Sequence, residues 1–188
     1  MKPRIDTIRI RQEADEDPDL SMLGEYGAAW REGAVDREED NGFLDRRECR
    51  YWYPGPNHYP HDPKNWAHVS AEDRAKVRKQ YGSLAKADHA YMMQDYRRME
   101  AYEAGVWGML GIRAEATVSY PVSEDSGYRR LETFRSGGLW GIESDSGTDY
   151  FAEVKEAELA DLKGHLEAFG VDTSDFEEKA TEAEEVAR

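Results

Sequence analysis

The chain has 188 residues, 39% of them hydrophobic, with 25 Lys+Arg against 40 Asp+Glu for a net charge of −15. That length allows one domain with a sizeable core, and 5 Trp and 11 Tyr supply large apolar area where aliphatic residues are scarce. A single cysteine, Cys49, excludes an internal disulfide framework, and no apolar run reaches the length of a membrane helix.

Met1-Lys2-Pro3-Arg4 has no apolar stretch behind it, so a secretory signal is not expected and the expected compartment is the cytoplasm. The charge is uneven. Residues 1–60 carry −5, residues 61–121 carry +1 and residues 122–188 carry −11. A surface acidified only for solubility would not leave the middle third neutral, so the asymmetry points to an acidic working face.

In chain order, residues 4–12 alternate as a strand, with Ile8 and Ile10 inward and Arg9 and Arg11 toward water. The acids and proline of residues 15–19 break it. Residues 20–45 read as irregular, with Leu20, Leu23, Tyr26 and Trp30 attached to the core. A second strand is expected over 46–53, ended by Pro54-Gly55-Pro56, and a proline-rich aromatic connection over 54–66.

Ser70 with Asp73 signals a helix start, and residues 71–104 read as a long helix whose apolar face holds Val77, Tyr81, Leu84, Met92, Tyr96 and Met99. Gly82 is the point where it would split or bend. Residues 106–120 and 128–143 alternate as neighbouring antiparallel strands around the turn at 123–127, with Gly137-Gly138 a kink or bulge. Residues 149–169 form an amphipathic helix with Val154, Leu159, Leu162, Leu166 and Phe169 inward, ended by Gly170.

The expected fold is α+β: an antiparallel sheet of about four to five strands packed by a long central helix and a C-terminal helix. One domain covers 1–170, and 171–188 form an acidic tail or a short helix. The expected core includes Ile112, Val118, Trp140, Ile142, Leu159, Leu162 and Leu166.

Catalytic chemistry is hard to find. His58 and His61, with His68 and Cys49 nearby in sequence, lack the paired spacing of a zinc site. Cys49 lies between Arg47 and Arg50, but no base or orienting group is in sight for a thiol nucleophile. Ser136-Gly137-Gly138-Leu139-Trp140-Gly141 lacks the Lys-Ser/Thr of a phosphate loop. Glu143, Asp145 and Asp149 are oxygen ligands without EF-hand spacing. Arg74, Lys76, Arg78, Lys79, Lys86, Arg97 and Arg98, interleaved with Tyr91 and Tyr96, suit nucleic acid, but on so acidic a chain they read as a solvated face paired with its own acids. No cofactor, metal or enzymatic activity is expected.

Tyr96-Arg97-Arg98-Met99-Glu100-Ala101-Tyr102, Gly111-Ile112-Arg113-Ala114-Glu115-Ala116 and Ser136 to Asp145 together resemble a group of small acidic proteins of bacteriophages and other mobile elements. The resemblance covers residues 90–170 and extends to 20–26. The group has no assigned activity, so no catalytic role carries over. What the resemblance implies is a counter-defence setting, in which such proteins disarm a host system, sometimes by imitating the charge of DNA.

The leading expectation is therefore a non-enzymatic acidic binding protein of anti-CRISPR or antirestriction type. Its partner would be a basic, nucleic-acid-handling host protein, with neither nucleic acid nor membrane bound directly. The candidate contact residues are Glu124, Asp125, Glu143, Asp145, Asp149, Glu153 and Glu156. Two alternatives are an accessory protein that docks through its aromatic loop and a small metal-dependent hydrolase.

Overall fold

In the computed structural model, residues 2–37, 44, 45, 47–55, 66–123, 127–181 and 183–187 are described. The fold is α+β. The chain forms two compact units, Met1–Pro18 with Gly108–Arg188, and Asp19–Trp107, where one domain is expected from the sequence. The insertion explains the difference: residues 19–107 make their own apolar cluster around Trp52, Met92, Tyr96 and Met99, separate from the cluster of the flanking segments.

The first unit is built on β1 (Arg4–Ala14). In the second unit, β2 (Glu25–Gly27), β3 (Val35–Asp36) and β4 (Tyr51–Tyr53) form a small sheet in the order β2-β4-β3. The expected strand over 46–53 is thus shorter. Residues 47–50 make a turn, in which Asp45 accepts from the amides of Arg47, Glu48 and Cys49 through its side chain or carbonyl.

The central helix divides into α1 (Ala71–Tyr81) and α2 (Leu84–Glu103). Gly82 at φ 85° ends α1, and Ser83 caps α2 by accepting from the Lys86 amide at 3.1 Å. Ser70 caps α1 as expected, accepting from the Asp73 amide at 3.0 Å. Met92, Tyr96 and Met99 are buried, while α1 buries no residue. Trp30, expected on the core, is 67% exposed.

The chain returns to the first unit with β5 (Met109–Pro121), β6 (Arg129–Arg135) and β7 (Leu139–Glu143), followed by α3 (Thr148–Ala168), α4 (Phe176–Thr181) and β8 (Glu184–Ala187). β5 pairs antiparallel with β1 along one edge and with β6 and then β7 along the other. The expected pairing of 106–120 with 128–143 is present. β8 adds a parallel strand beyond β1, so the acidic C-terminal segment is built into the sheet.

Alternation sorts β5 cleanly. Ile112, Ala114, Ala116 and Val118 face α3 and are fully buried with Ile8, Ile10, Ile142, Val154, Leu162 and Leu166. Gly111, Arg113, Glu115, Thr117 and Ser119 point to the opposite face of the sheet.

In the first unit, Phe169 and Trp140, both expected in the core, are exposed, and Leu159 is only half-buried. Phe169 lies past the end of α3 at 69% exposure, where Gly170 at φ 72° turns the chain away. Trp140 is 45% exposed although it stands two residues from buried Ile142. The cause is a bulge: Trp140 and Gly141 together oppose Gly111, and Gly141 at φ 74° breaks the alternation.

Candidate functional site

α3 begins without a side-chain cap at Gly147, but Asp149 in its first turn complements the helix dipole. Its buried stripe is Val154, Leu162 and Leu166, with Leu159 and Phe151 half-buried beside it. Asp149, Glu153 and Glu156 follow at four- and three-residue steps and are exposed. Such steps put carboxylates on one line about 4.5–6 Å apart along the axis.

Two other α3 acids face the sheet. Asp161 accepts from the Gly137 amide and Glu158 from the Gly138 amide, both at 2.9 Å. These are the amides that the bulge between β6 and β7 withdraws from strand pairing. Ser136 completes the bulge: its Oγ accepts from the Ala114 amide at 2.9 Å, and its own amide donates to the Ala114 carbonyl at 3.0 Å. The glycine-rich segment is thus a structural joint, with its freed donors satisfied by α3.

The structure distributes the expected contact residues unequally. Asp149, Glu153 and Glu156 form the exposed line on α3. Glu143 ends β7 half-buried and Asp145 lies exposed in the turn before α3, and both have partners within the chain. Glu124 and Asp125 lie outside the described residues, as do His58 and His61. Glu143, Asp145 and Asp149 do not converge. Among the described residues no three His, Cys, Asp or Glu side chains are grouped to hold a metal ion.

Charge follows the division into units. The first unit carries 12 basic and 24 acidic side chains, the second 13 and 16. Within the first unit Arg11, Arg113 and Arg135 gather on the sheet face away from α3, whereas Lys155 and Lys163 lie on α3 and Lys179 on α4. Glu115, buried there, receives Arg135 Nε at 2.7 Å and Arg11 Nε at 2.9 Å, while Arg113 bridges Glu13 at 3.1 Å. Burial pushes the Glu115 carboxyl up, but the hydrogen bonds from Arg135 and Arg11 outweigh it and hold the group below the usual glutamate range. Arg11 therefore does not simply face water, as alternation alone suggests.

The second unit has its own ionic centre. Arg37 is fully buried and grips both oxygens of Glu100, with Nε at 2.7 Å and Nη2 at 3.2 Å, while Nη1 donates to the Cys49 carbonyl at 3.0 Å. Tyr26 donates to the same carboxylate at 2.8 Å. Burial, then its bond to Glu100, raises the Tyr26 phenol far above its usual range. Burial and the Glu100 charge also raise the Glu103 carboxyl. Arg37, Glu100 and Tyr26 are all engaged with one another, as in a structural network. Of the basic helix residues, Lys76 pairs with Glu72 and Asp73, and Arg98 stacks on Trp107 at 3.7 Å from the ring centre.

A feature missed in the sequence lies at the other end of the sheet. Glu13, Ala14, Asp15, Glu16, Asp17 and Trp140 line an open cavity of about 700 Å³. Nothing in the local sequence joins an acidic loop at 13–17 to a tryptophan at 140. Only the registers of Glu13 with Gly111 and of β7 with β5 bring them together.

In comparisons with known proteins, no family model, curated protein or solved structure matches this chain. Among the described residues no helix is long and apolar enough to cross a membrane.

Proposed function

We propose that this chain is a non-enzymatic cytoplasmic binding protein that occupies the basic nucleic-acid-binding surface of a host nuclease or surveillance complex. In this reading it is a counter-defence factor of a phage or mobile element, of anti-CRISPR or antirestriction type. The supporting observation is the exposed line of Asp149, Glu153 and Glu156 on α3, on the unit that holds −12 of the net −15. A rigid helix presents these carboxylates at regular intervals, and each accepts charge-assisted hydrogen bonds from Arg or Lys. The field of the acidic unit steers a basic partner toward them. The protein blocks by occupancy, so nothing is consumed and no bond is made or broken.

The test is competition. Immobilised protein is used to capture partners from a bacterial lysate, and the captured protein's binding to labelled nucleic acid is then measured with added wild type or with a D149K/E153K/E156K variant. Wild type displaces the nucleic acid and the variant does not. The complex releases between 0.1 M and 1 M salt, as the Debye length falls from about 10 Å to about 3 Å. A complex that survives 1 M salt and the triple reversal, or that leaves the nucleic acid bound, overturns the reading.

A further inference from the structure

The cavity at Trp140 has the make-up of a cation receptor. Its floor is the indole ring, which lies on the sheet face opposite α3. Gly111 makes this possible, because a Cβ there would stand 2.6 Å from Cδ2 of Trp140. Gly138 flanks the other end, where a Cβ would come within 3.2 Å of the indole Nε1. The backbone thus supports one side of the ring, and 45% of the residue remains open to solvent.

The walls are acidic and unbalanced. Glu13 is neutralised by Arg113 at 3.1 Å. Asp15 accepts from the amides of Gly141 and Asp17, both at 3.2 Å, which holds the loop against β7. Glu16 and Asp17 are exposed, and among the described residues no cation pairs with Asp15, Glu16 or Asp17. The Trp140 ring likewise has no cationic or aromatic partner among them, although Arg31, Arg37, Arg50, Arg98 and Arg130 all stack on other rings.

We propose that this cavity binds an arginine side chain of a basic polypeptide segment. A guanidinium is planar and weakly hydrated, so it stacks on an indole face while its edge forks to carboxylates. An ammonium satisfies the charge but not the plane. The cavity's free side is aromatic and its rim carries the exposed carboxylates of Glu16 and Asp17, with Asp15 fixed between the loop and β7 by its two amides, which matches the flat, edge-donating cation. The site lies on the face opposite α3 and stands independently of the function proposed above.

The experiment uses the full chain labelled with ¹⁵N and two acetylated, amidated peptides, Gly-Arg-Gly and Gly-Lys-Gly, at low ionic strength. The indole resonances of the 5 tryptophans report binding. The arginine peptide is expected to move a single indole resonance saturably, and that resonance is absent from a W140A variant. The lysine peptide binds at least fivefold more weakly. An E16Q/D17N variant, changed only at exposed positions and melting with wild type, binds the arginine peptide at least fivefold more weakly while keeping the Trp140 resonance. The proposal is overturned if the shift does not saturate, if it belongs to another tryptophan, if the lysine peptide binds equally, or if E16Q/D17N binds as wild type does.

Discussion

The Trp140 indole lies over Gly111, in the space that a Cβ on Gly111 would take, with Cδ2 2.6 Å from that position. The bulge turns the tryptophan to this side of the sheet, and one missing methyl group leaves room for it there. Gly111→Ala should push the ring off the strand and cost about 1–3 kcal/mol, the range for forcing extra volume into a packed site. Urea unfolding followed by far-UV dichroism measures this, and unchanged midpoints would show that the ring relocates freely.

Glu115 carries the pH dependence of the sheet face. Its carboxyl is held below the usual range, so the folded state binds its proton less readily than the unfolded state does. The resulting stability is full above the unfolded glutamate value of about 4.3 and is lost as pH falls through the lower folded value. Glu115→Gln should leave a shallower acid limb below the unfolded glutamate value of about 4.3. Glu115→Ala should cost about 3 kcal/mol at pH 7 by leaving Arg11 and Arg135 without their acceptor. Melts of the three proteins across pH check both.

Arg37 and Glu100 test the second unit. Arg37→Ala should cost about 3–5 kcal/mol, because a buried pair broken on one side leaves charge uncompensated. Arg37→Lys should recover little of it, since one ammonium cannot reach both Glu100 oxygens and the Cys49 carbonyl together. If lysine restored wild-type stability, charge alone would be sufficient.

Leu162 is fully buried against the sheet, and Leu159 only partly so. Leu162→Ala should cost about 2–5 kcal/mol, the range for closed apolar sites. Leu159→Ala should cost clearly less. Equal losses in urea would place the helix face differently from the structure.

The proposed blocking activity separates from general acidity. Charge reversal at Asp149, Glu153 and Glu156 should abolish competition. Reversal at Glu32, Glu48 and Glu72, all exposed on the other unit, should leave it within about threefold. Like charges brought together at a contact cost several kcal/mol, whereas charges that do not take part in the contact act only through screened fields. Equal loss from both triples would reduce the effect to net charge.

Local order was legible along the chain because it depends on near neighbours. Ile8 and Ile10 in β1, Ile112 to Val118 in β5, the Ser70 cap, the break at Gly82 and the Val154-Leu162-Leu166 stripe all follow from alternation, helical spacing or a side chain reaching three residues on. The exposed line of Asp149, Glu153 and Glu156 follows from the same spacing. What required the tertiary structure was everything carried by register and by segments far apart in sequence. Residues 19–107 closed on their own core because Trp52 packs with Met92, Tyr96 and Met99. Glu115 became a buried acceptor because β1 and β6 bring Arg11 and Arg135 to it from both sides. Trp140 faces the acidic loop because a single extra residue opposite Gly111 turned it over. A bulge changes the side of every residue that follows until the register is restored, and no periodicity within one strand reveals where its partner will impose one.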